Sequence, residues 1–117
     1  MLRVCDVYFI EQAERDLYDI YCYVAIYDSE AAAENLFKKL ADQSMKLAYL
    51  PERGNYPKEL KQIGVFDFRE LNVKPHRIIY QIIDGRVFIH AILDGRRDLE
   101  DCLMRRLVVE HSESELI

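Results

Sequence analysis

Residues 65–94 read VFDFRELNVKPHRIIYQIIDGRVFIHAILD. This segment is rich in β-branched and aromatic residues, and turn residues divide it into three strand candidates, at 65–73, 76–84 and 86–94. Asp84-Gly85 is a strong signal for a two-residue hairpin turn, and Lys74-Pro75 supplies the turn before it. The sequence therefore predicts antiparallel strands joined by short turns.

The first half of the chain has a helical period instead. Apolar residues recur at spacings of three and four over 10–24, which is typical of one face of an amphipathic helix. A second apolar stripe covers 33–47, and Ser29 offers an N-cap between the two stripes. Because the gap is short, the two helices should form an antiparallel hairpin. We predict a strand at 2–9 and helices at 10–27 and 29–49.

The remaining segments are predicted to be a loop, a short helix and a tail. Residues 51–64 contain two prolines and two glycines, which indicates a loop. Leucines recur every fourth residue from 99 to 107 and predict a short C-terminal helix, and 109–117 is expected to be a frayed acidic tail. Helices grouped before hairpin-linked strands predict an α+β fold, with a single domain at 1–108.

The charge of the chain limits its partners. The 117 residues carry a formal net charge of −5. Eleven of the sixteen basic residues follow residue 50, and most of these eleven are arginines, so they could form a local anion site on an acidic body. A protein that tracks phosphates normally has a broad basic face. We therefore expect no direct sequence-specific DNA binding by this chain alone.

Cysteine spacing and hydropathy exclude several other classes. Cys5, Cys22 and Cys102 are widely separated, with no histidine at zinc-ligand spacing, so buried free thiols in a reducing cytosol are expected, with no metal and no cofactor. No segment approaches the ~20 apolar residues of a membrane span, and no secretory signal is recognisable. The expected location is the cytoplasm, with no membrane partner.

Two longer motifs resemble a known toxin family. Residues 69–103 read RELNVKPHRIIYQIIDGRVFIHAILDGRRDLEDCL and residues 13–24 read AERDLYDIYCYV. In this order and spacing they resemble the RelE/ParE toxins of type II toxin–antitoxin systems. The resemblance implies a helical hairpin packed on a small twisted antiparallel sheet, and a cognate antitoxin partner. It also implies either messenger RNA cleavage on the ribosome, as in the RelE branch, or inhibition of DNA gyrase, as in the ParE branch.

The resemblance also singles out arginines. Arg77 and Arg97 match positions where the ribonuclease branch keeps phosphate-binding arginines, and they are the only candidates for a catalytic role. Arg69 and Arg96 join them as candidates for contact with a target or a phosphate, because a guanidinium suits bidentate phosphate contact. Alternatively, these arginines are solvated strand-end residues or ion-pair partners of nearby acids such as Glu70.

Groups that could transfer protons are scarce. The ribonuclease branch often places a tyrosine or histidine near the C-terminus, whereas the last tyrosine here is Tyr80, and Leu103 stands where that tyrosine would fall. His90 lies inside an apolar strand, where a packing role is more common than a catalytic one. The missing tyrosine and the acidic charge favour the ParE-like branch.

Both faces of the two long strand candidates are largely apolar. The helical hairpin can cover one face only, and an uncovered apolar face marks a binding surface. Alternation places Ile78, Tyr80 and Ile82 on one face of the first strand, and Phe88 and Ile92 on one face of the second, and these five residues are predicted to bind the antitoxin. The alternative is that the C-terminal helix covers this face by itself.

These observations predict a ParE-like toxin of a plasmid-stabilisation system. It would inhibit growth by binding a host protein such as DNA gyrase, and a cognate antitoxin would neutralise it. The first alternative is a RelE-like, metal-independent endoribonuclease that acts on the ribosome. The second alternative is an inactive toxin homologue that serves as a binding or regulatory module.

Overall fold

A computed structural model describes residues 4–94, 99 and 101–106. Four strands form one sheet in the order β1-β4-β3-β2. The strands are β1 (Asp6–Phe9), β2 (Arg69–Val73), β3 (His76–Ile83) and β4 (Arg86–Asp94). The helices are α1 (Glu11–Tyr27), α2 (Glu30–Met45), α3 (Lys58–Lys61) and a C-terminal helix, α4, of which residues 99 and 101–106 are described. The predicted α+β fold with a helical hairpin is confirmed.

The helical hairpin forms as its sequence period predicts. The Ser29 hydroxyl accepts a hydrogen bond from the Ala32 amide at 3.0 Å and caps the start of α2. Ala13 and Leu17 of α1 and Leu40 of α2 are buried, so the apolar stripes face the sheet. The second helix ends at Met45, earlier than predicted, because the chain tightens there into a 3₁₀ turn, Lys46–Ala48.

The three strands after residue 64 are antiparallel, as predicted. Asp84 and Gly85 have φ angles of 51° and 72°, which suit the two-residue turn that connects β3 to β4. Lys74-Pro75 forms the other turn and contains a cis peptide bond. The first of these strands is shorter than predicted and begins at Arg69.

The N-terminal strand makes the sheet mixed. β1 pairs with β4 in parallel, with Asp6 opposite Arg86 and Phe9 opposite Ile89. The predicted antiparallel sheet consists of the strands after residue 64, and β2, β3 and β4 confirm it; the sequence did not predict how β1 pairs. A strand that reaches its neighbour through a long helical connection can run parallel to it, whereas a tight hairpin requires antiparallel strands.

A β-bulge changes the facing of residues within β4. The register shifts between Ile79, which lies opposite Ala91, and Tyr80, which lies opposite Ile89, so His90 is the extra residue. Beyond the bulge, the residues of β4 therefore face the side of the sheet opposite to the one that strict alternation predicts. The prediction that Phe88 and Ile92 share a face is wrong for this reason, since strict alternation cannot cross a bulge.

Both faces of the sheet are covered in the described part of the chain. One cluster packs the sheet against the helical hairpin, and its buried sheet residues are Leu71, Val73, Ile78, Tyr80, Val87, Ile89 and Ile92. The second cluster packs the opposite face against α3, Phe68 and α4, and its buried sheet residues are Ile79, Ala91 and Leu93. The C-terminal helix covers part of this second face, to which it contributes the buried side chains of Leu99 and Leu103.

Several other predictions meet the structure only in part. Cys5, Cys22 and Cys102 are free, as predicted, but each is partly exposed and not fully buried. The predicted tail at 109–117 lies outside the described residues. Within the described ranges, no helix is long and apolar enough to cross a membrane.

Candidate functional site

The two candidate arginines of the sheet lie on opposite faces of it. Arg69 of β2 is opposite Tyr80, which belongs to the cluster under the helical hairpin. Arg77 of β3 contacts Glu70, whose cross-strand partner Ile79 belongs to the opposite cluster. Side chains of directly paired residues share a face. Arg69 and Arg77 therefore cannot hold one phosphate between them.

Arg77 is held by two carboxylates. Its Nε donates to Glu70 at 2.8 Å and its Nη2 to Glu59 at 3.0 Å, and Nη2 also contacts Glu70. Only 12% of the Arg77 side chain is exposed. The hydrogen bonds from Arg77 lower the pKa of Glu59, and those from Glu59 and Glu70 raise the pKa of Arg77 despite its burial. The charge of Arg77 is thus neutralised inside the protein, as the ion-pair alternative expected.

Arg69 has neutral partners instead. Its Nη1 donates to the Gly54 carbonyl oxygen at 2.9 Å and to the Glu52 carbonyl oxygen at 3.3 Å, and its Nη2 donates to the Tyr56 hydroxyl at 3.1 Å. The guanidinium carbon also lies 4.5 Å from the centre of the Tyr56 ring, in a cation–π contact. These contacts fix the side chain, and none of these neutral groups cancels its positive charge.

Tyr80 anchors the loop that carries these acceptors. Its hydroxyl donates to the Pro51 carbonyl oxygen at 2.7 Å and accepts from the Gly54 amide at 2.9 Å. A Cβ at Gly54 would lie 2.5 Å from the Tyr80 hydroxyl, so only glycine fits this approach. Burial raises the pKa of Tyr80. With its hydroxyl engaged twice, Tyr80 is unsuited to proton transfer.

The two described histidines of the sheet are also packed. His90 Nε2 lies 3.0 Å from Gln81 Oε1, and the ring packs edge-on against Phe68. Burial lowers the pKa of His90, and the positive charge of Arg106 lowers it further. Burial also lowers the pKa of His76, against an opposing effect of Asp94. The prediction that His90 has a packing role agrees with these contacts.

The two histidines make stability depend on pH. A histidine whose folded pKa is depressed binds its proton more readily in the unfolded chain. The stability that results is present above the unfolded pKa of about 6.5 and is lost as the pH falls towards the folded values. We expect the free energy of unfolding in urea to decrease from pH 7.5 to pH 5.5. The variant His90→Gln should show a smaller decrease, and an unchanged pH dependence would contradict this expectation.

A second buried ion pair was not predicted from the sequence. Asp16 of α1 accepts hydrogen bonds from Arg106 of α4 at 2.8 and 3.0 Å, and from the Ile92 amide at 2.9 Å. Arg106 also donates to the His90 carbonyl oxygen at 2.9 Å. The last β4 residue paired with β1 is Ile89. Asp16 and Arg106 therefore provide hydrogen-bond partners for backbone groups on the edge of β4, beyond the point where β1 ends.

The other predicted site residues are distributed as follows. Arg96 and Arg97 lie outside the described residues. Ile78, Tyr80 and Ile92 are buried under the helical hairpin, so in this structure they form part of the core and not an open surface. Ile82 and Phe88 remain partly exposed. In the described ranges, no group of three or more His, Cys, Asp or Glu side chains is placed to hold a metal ion.

Comparison with known families assigns the fold just described. Residues 7–99 match the family described as ParE toxin of type II toxin-antitoxin system, parDE. The chain belongs to the ParE toxin family. This match runs from Val7 in β1 through the helical hairpin and the whole meander of β2, β3 and β4. The family assignment also agrees with the resemblance found in the sequence.

Solved structures share the fold of this chain. A chain in the chromosomal ParDE TA system from P. aeruginosa matches with a TM-score of 0.68 and 16% identity, over 79% of this chain and 97% of that one. A chain in the toxin-antitoxin complex RelBE2 from Mycobacterium tuberculosis matches with a TM-score of 0.58 and 17% identity, over 80% and 94%. At these identities the matches show a shared fold. No curated protein is significantly similar to this ParE-family chain in sequence.

Proposed function

We propose that this ParE-family toxin acts by occupying a host protein, such as DNA gyrase, in the cytoplasm, and that a cognate antitoxin neutralises it. The observation that carries the proposal is the separation of Arg69 and Arg77 on opposite faces of the sheet, with Arg77 neutralised by Glu59 and Glu70. A cluster of free cations around one phosphate, which RNA cleavage needs, is not formed by these two residues.

The chemistry of proton transfer supports the same proposal. Cleavage by the 2′-hydroxyl needs a general base and a general acid within hydrogen-bonding reach of the reacting atoms. Tyr80 uses its hydroxyl to anchor the 51–54 loop, and His90 is bonded to Gln81. An arginine is a poor proton shuttle because its pKa exceeds about 12. The RelE-like ribonuclease is therefore the less favoured alternative.

Arginines remain the best candidates for contact with the target. Arg69 is fixed by neutral acceptors and keeps its charge available. Arg96 and Arg97 follow β4 directly in the sequence and stay candidates on that ground. Of the five residues predicted to bind the antitoxin, Ile82 and Phe88 keep exposed surface, so we propose them as the first positions to test for that contact.

The test is to express the toxin without its antitoxin and to follow plasmid supercoiling and protein synthesis separately. We expect growth arrest in which DNA topology changes before translation falls. Purified toxin should also inhibit gyrase supercoiling, and Arg69→Ala and Arg97→Ala should weaken this inhibition at least tenfold. Arg15→Ala is the matched control, because Arg15 is an exposed arginine that pairs only with Glu11 among the described contacts.

Two results would overturn this assignment. Immediate translation arrest with codon-phased cuts in messenger RNA would move the protein to the RelE-like alternative. A folded chain that causes no growth arrest at any expression level would support the inactive homologue instead.

A further inference from the structure

The surface around Arg69 combines positive charge with exposed aromatic rings. The Tyr56 and Phe66 rings pack edge-to-face with their centroids 5.4 Å apart, and 41% and 52% of these two residues, respectively, are exposed. The Arg69 guanidinium lies over the Tyr56 ring. Arg53, in the loop that Arg69 contacts, is exposed as well, and its described side-chain partner is Gln43 at 3.4 Å. We call this surface the arginine–aromatic patch and define it by Arg53, Tyr56, Phe66 and Arg69.

Among the described contacts, neither arginine of the patch is paired with a carboxylate. Arg69 donates to two backbone carbonyl oxygens and to the Tyr56 hydroxyl, and its contact with Glu52 is to the carbonyl oxygen. Arg53 donates to the side-chain amide of Gln43. A guanidinium that neutral groups hold in place is preorganised for a charged hydrogen bond to a carboxylate from elsewhere. The patch therefore suits a segment in which carboxylates stand beside apolar side chains, because the exposed rings can cover the apolar part.

The acidic tail of this chain has that composition. Residues 109–117 read VEHSESELI, with three glutamates, no lysine or arginine, and the apolar pair Leu116-Ile117. The tail lies outside the described residues and follows α4 in the sequence. The position of Arg106, the last described residue of α4, therefore limits which surfaces the tail can reach.

The described end of α4 lies within reach of the patch. Arg106 donates to the His90 carbonyl oxygen at 2.9 Å, and the Phe68 ring packs against the His90 ring with centroids 5.3 Å apart. Phe68 directly precedes Arg69, the first residue of β2. Only β3 separates β4 from β2, which corresponds to two strand spacings, or about 10 Å. The seven residues from Arg106 to Glu113 can extend by up to about 23 Å, so the glutamates of the tail can reach the patch.

We propose that the acidic tail folds back on its own chain and docks on the arginine–aromatic patch. Its glutamates pair with Arg53 and Arg69, and Leu116 and Ile117 pack on the exposed rings. A tethered segment has an effective concentration on the order of millimolar, so individually weak contacts are enough to populate the docked state. The docked tail covers Arg69 and competes with the target protein. This inhibitory role rests on the proposed function, in which Arg69 is a candidate for target contact, whereas the docking itself does not.

The first test follows the patch by NMR in the full chain labelled with ¹⁵N. A tail variant with Glu110→Gln, Glu113→Gln and Glu115→Gln keeps the length of the tail and removes its charge. We expect this variant to shift the Arg69 Nε–H and the Phe66 amide relative to wild type. Raising the salt from about 50 mM to about 500 mM should shift the same signals of wild type in the same direction, because salt screens exposed charge pairs. A control variant with Glu30→Gln and Glu34→Gln, both exposed on α2, should leave these signals unchanged.

The second test follows the tail while the patch is changed. Arg69→Ala should move the amides of the tail glutamates towards the positions that they have at high salt. Arg53→Ala should act in the same direction, and it leaves every described contact of Arg69 in place, so its effect does not depend on the order of the loop. Arg15→Ala is the control, because Arg15 is an exposed arginine that pairs with Glu11 on α1. It should leave the tail amides where they are in wild type.

The inhibitory role is tested with purified gyrase. We expect the tail variant without glutamates to inhibit supercoiling at least twofold more strongly than wild type at equal concentration, since Arg69 is then uncovered. Equal inhibition by a wild type whose tail is docked would overturn the inhibitory role. A chain that does not inhibit gyrase at all would overturn the proposed function and leave the docking, which NMR measures without gyrase, as it stands.

Three NMR results would overturn the docking. The first is a patch whose signals are the same in wild type and in the tail variant without glutamates. The second is an equal effect of Arg53→Ala and Arg15→Ala on the tail amides. The third is a docked fraction that rises with protein concentration, because the tail would then occupy the patch of a second copy and not that of its own chain.

Discussion

The variant Asp16→Ala is expected to lose about 3–5 kcal/mol of stability, which is typical when one member of a buried ion pair is removed. The change leaves the Arg106 guanidinium without its carboxylate, and it leaves the Ile92 amide without an acceptor. The side chains of Asp16 and Arg106 are only 12% and 18% exposed, so water cannot fully replace the lost contacts. Urea unfolding at pH 7 measures the effect.

Two further variants separate charge from hydrogen bonding at this position. Asp16→Asn keeps an oxygen that can accept from the Ile92 amide, so its loss should be smaller than that of Asp16→Ala. Glu11→Ala, in the same helix, breaks an exposed pair with Arg15 and should cost less than about 0.5 kcal/mol. If Asp16→Ala were no more destabilising than Glu11→Ala, the ion pair would not hold α4 against β4.

The variant Arg77→Ala is expected to cost about 2–4 kcal/mol, because Glu59 and Glu70 would then share a partly buried site without a cation. The figure is lower than for Asp16 because 35% of the Glu59 side chain is exposed, and solvent screens part of the repulsion. The pKa of Glu59 is lowered by Arg77 in the folded protein. The stability that this provides is present above the unfolded pKa and is lost as the pH falls. The difference between wild type and variant should therefore shrink at acidic pH.

The matched experiment replaces the whole group. A triple variant, with Arg77→Met, Glu59→Gln and Glu70→Gln, has no charge left unpaired, and it should be more stable than Arg77→Ala alone. Arg15→Ala serves as the exposed control and should have almost no effect. Both predictions use urea unfolding. Equal stability of Arg77→Ala and wild type would show that Arg77 is not a structural residue and would return it to the list of candidate contacts.

The sequence identified candidate side chains, but it did not predict which residues each of them contacts in the folded protein. Arg69 and Arg77 were identified from their chemistry and their match to a family pattern, and sequence alone left open whether they were free or paired. Glu59 lies in α3, within a segment that the sequence predicts as a loop, eighteen residues before Arg77, and no periodicity connects the two. The role of Arg77 follows only once α3 is placed against β3, because an ion pair between distant segments is a tertiary contact.

The same limit explains why the predicted shared facing of Phe88 and Ile92 is wrong. Alternation assigns faces correctly in β3, where the ladder is regular up to the shift beside Ile79. It fails in β4 because the bulge at His90 inserts one residue, and a bulge has no reliable sequence signal. The ion pair between Asp16 and Arg106 could not be predicted from the sequence for a similar reason. They are ninety residues apart, and each looks like an ordinary charged residue of an amphipathic helix.

The sequence by itself determined the elements of this protein: a helical hairpin, three hairpin-linked strands and a C-terminal helix. These follow from periods of 3.6 and 2 and from local turn residues, which act over a few neighbouring residues. The tertiary structure alone decided the parallel pairing of β1, the reversal of facing in β4, the burial of Arg77 and the pairing of Asp16 with Arg106. Each of these depends on which distant segments meet, and the free energy of such contacts has no counterpart in local sequence.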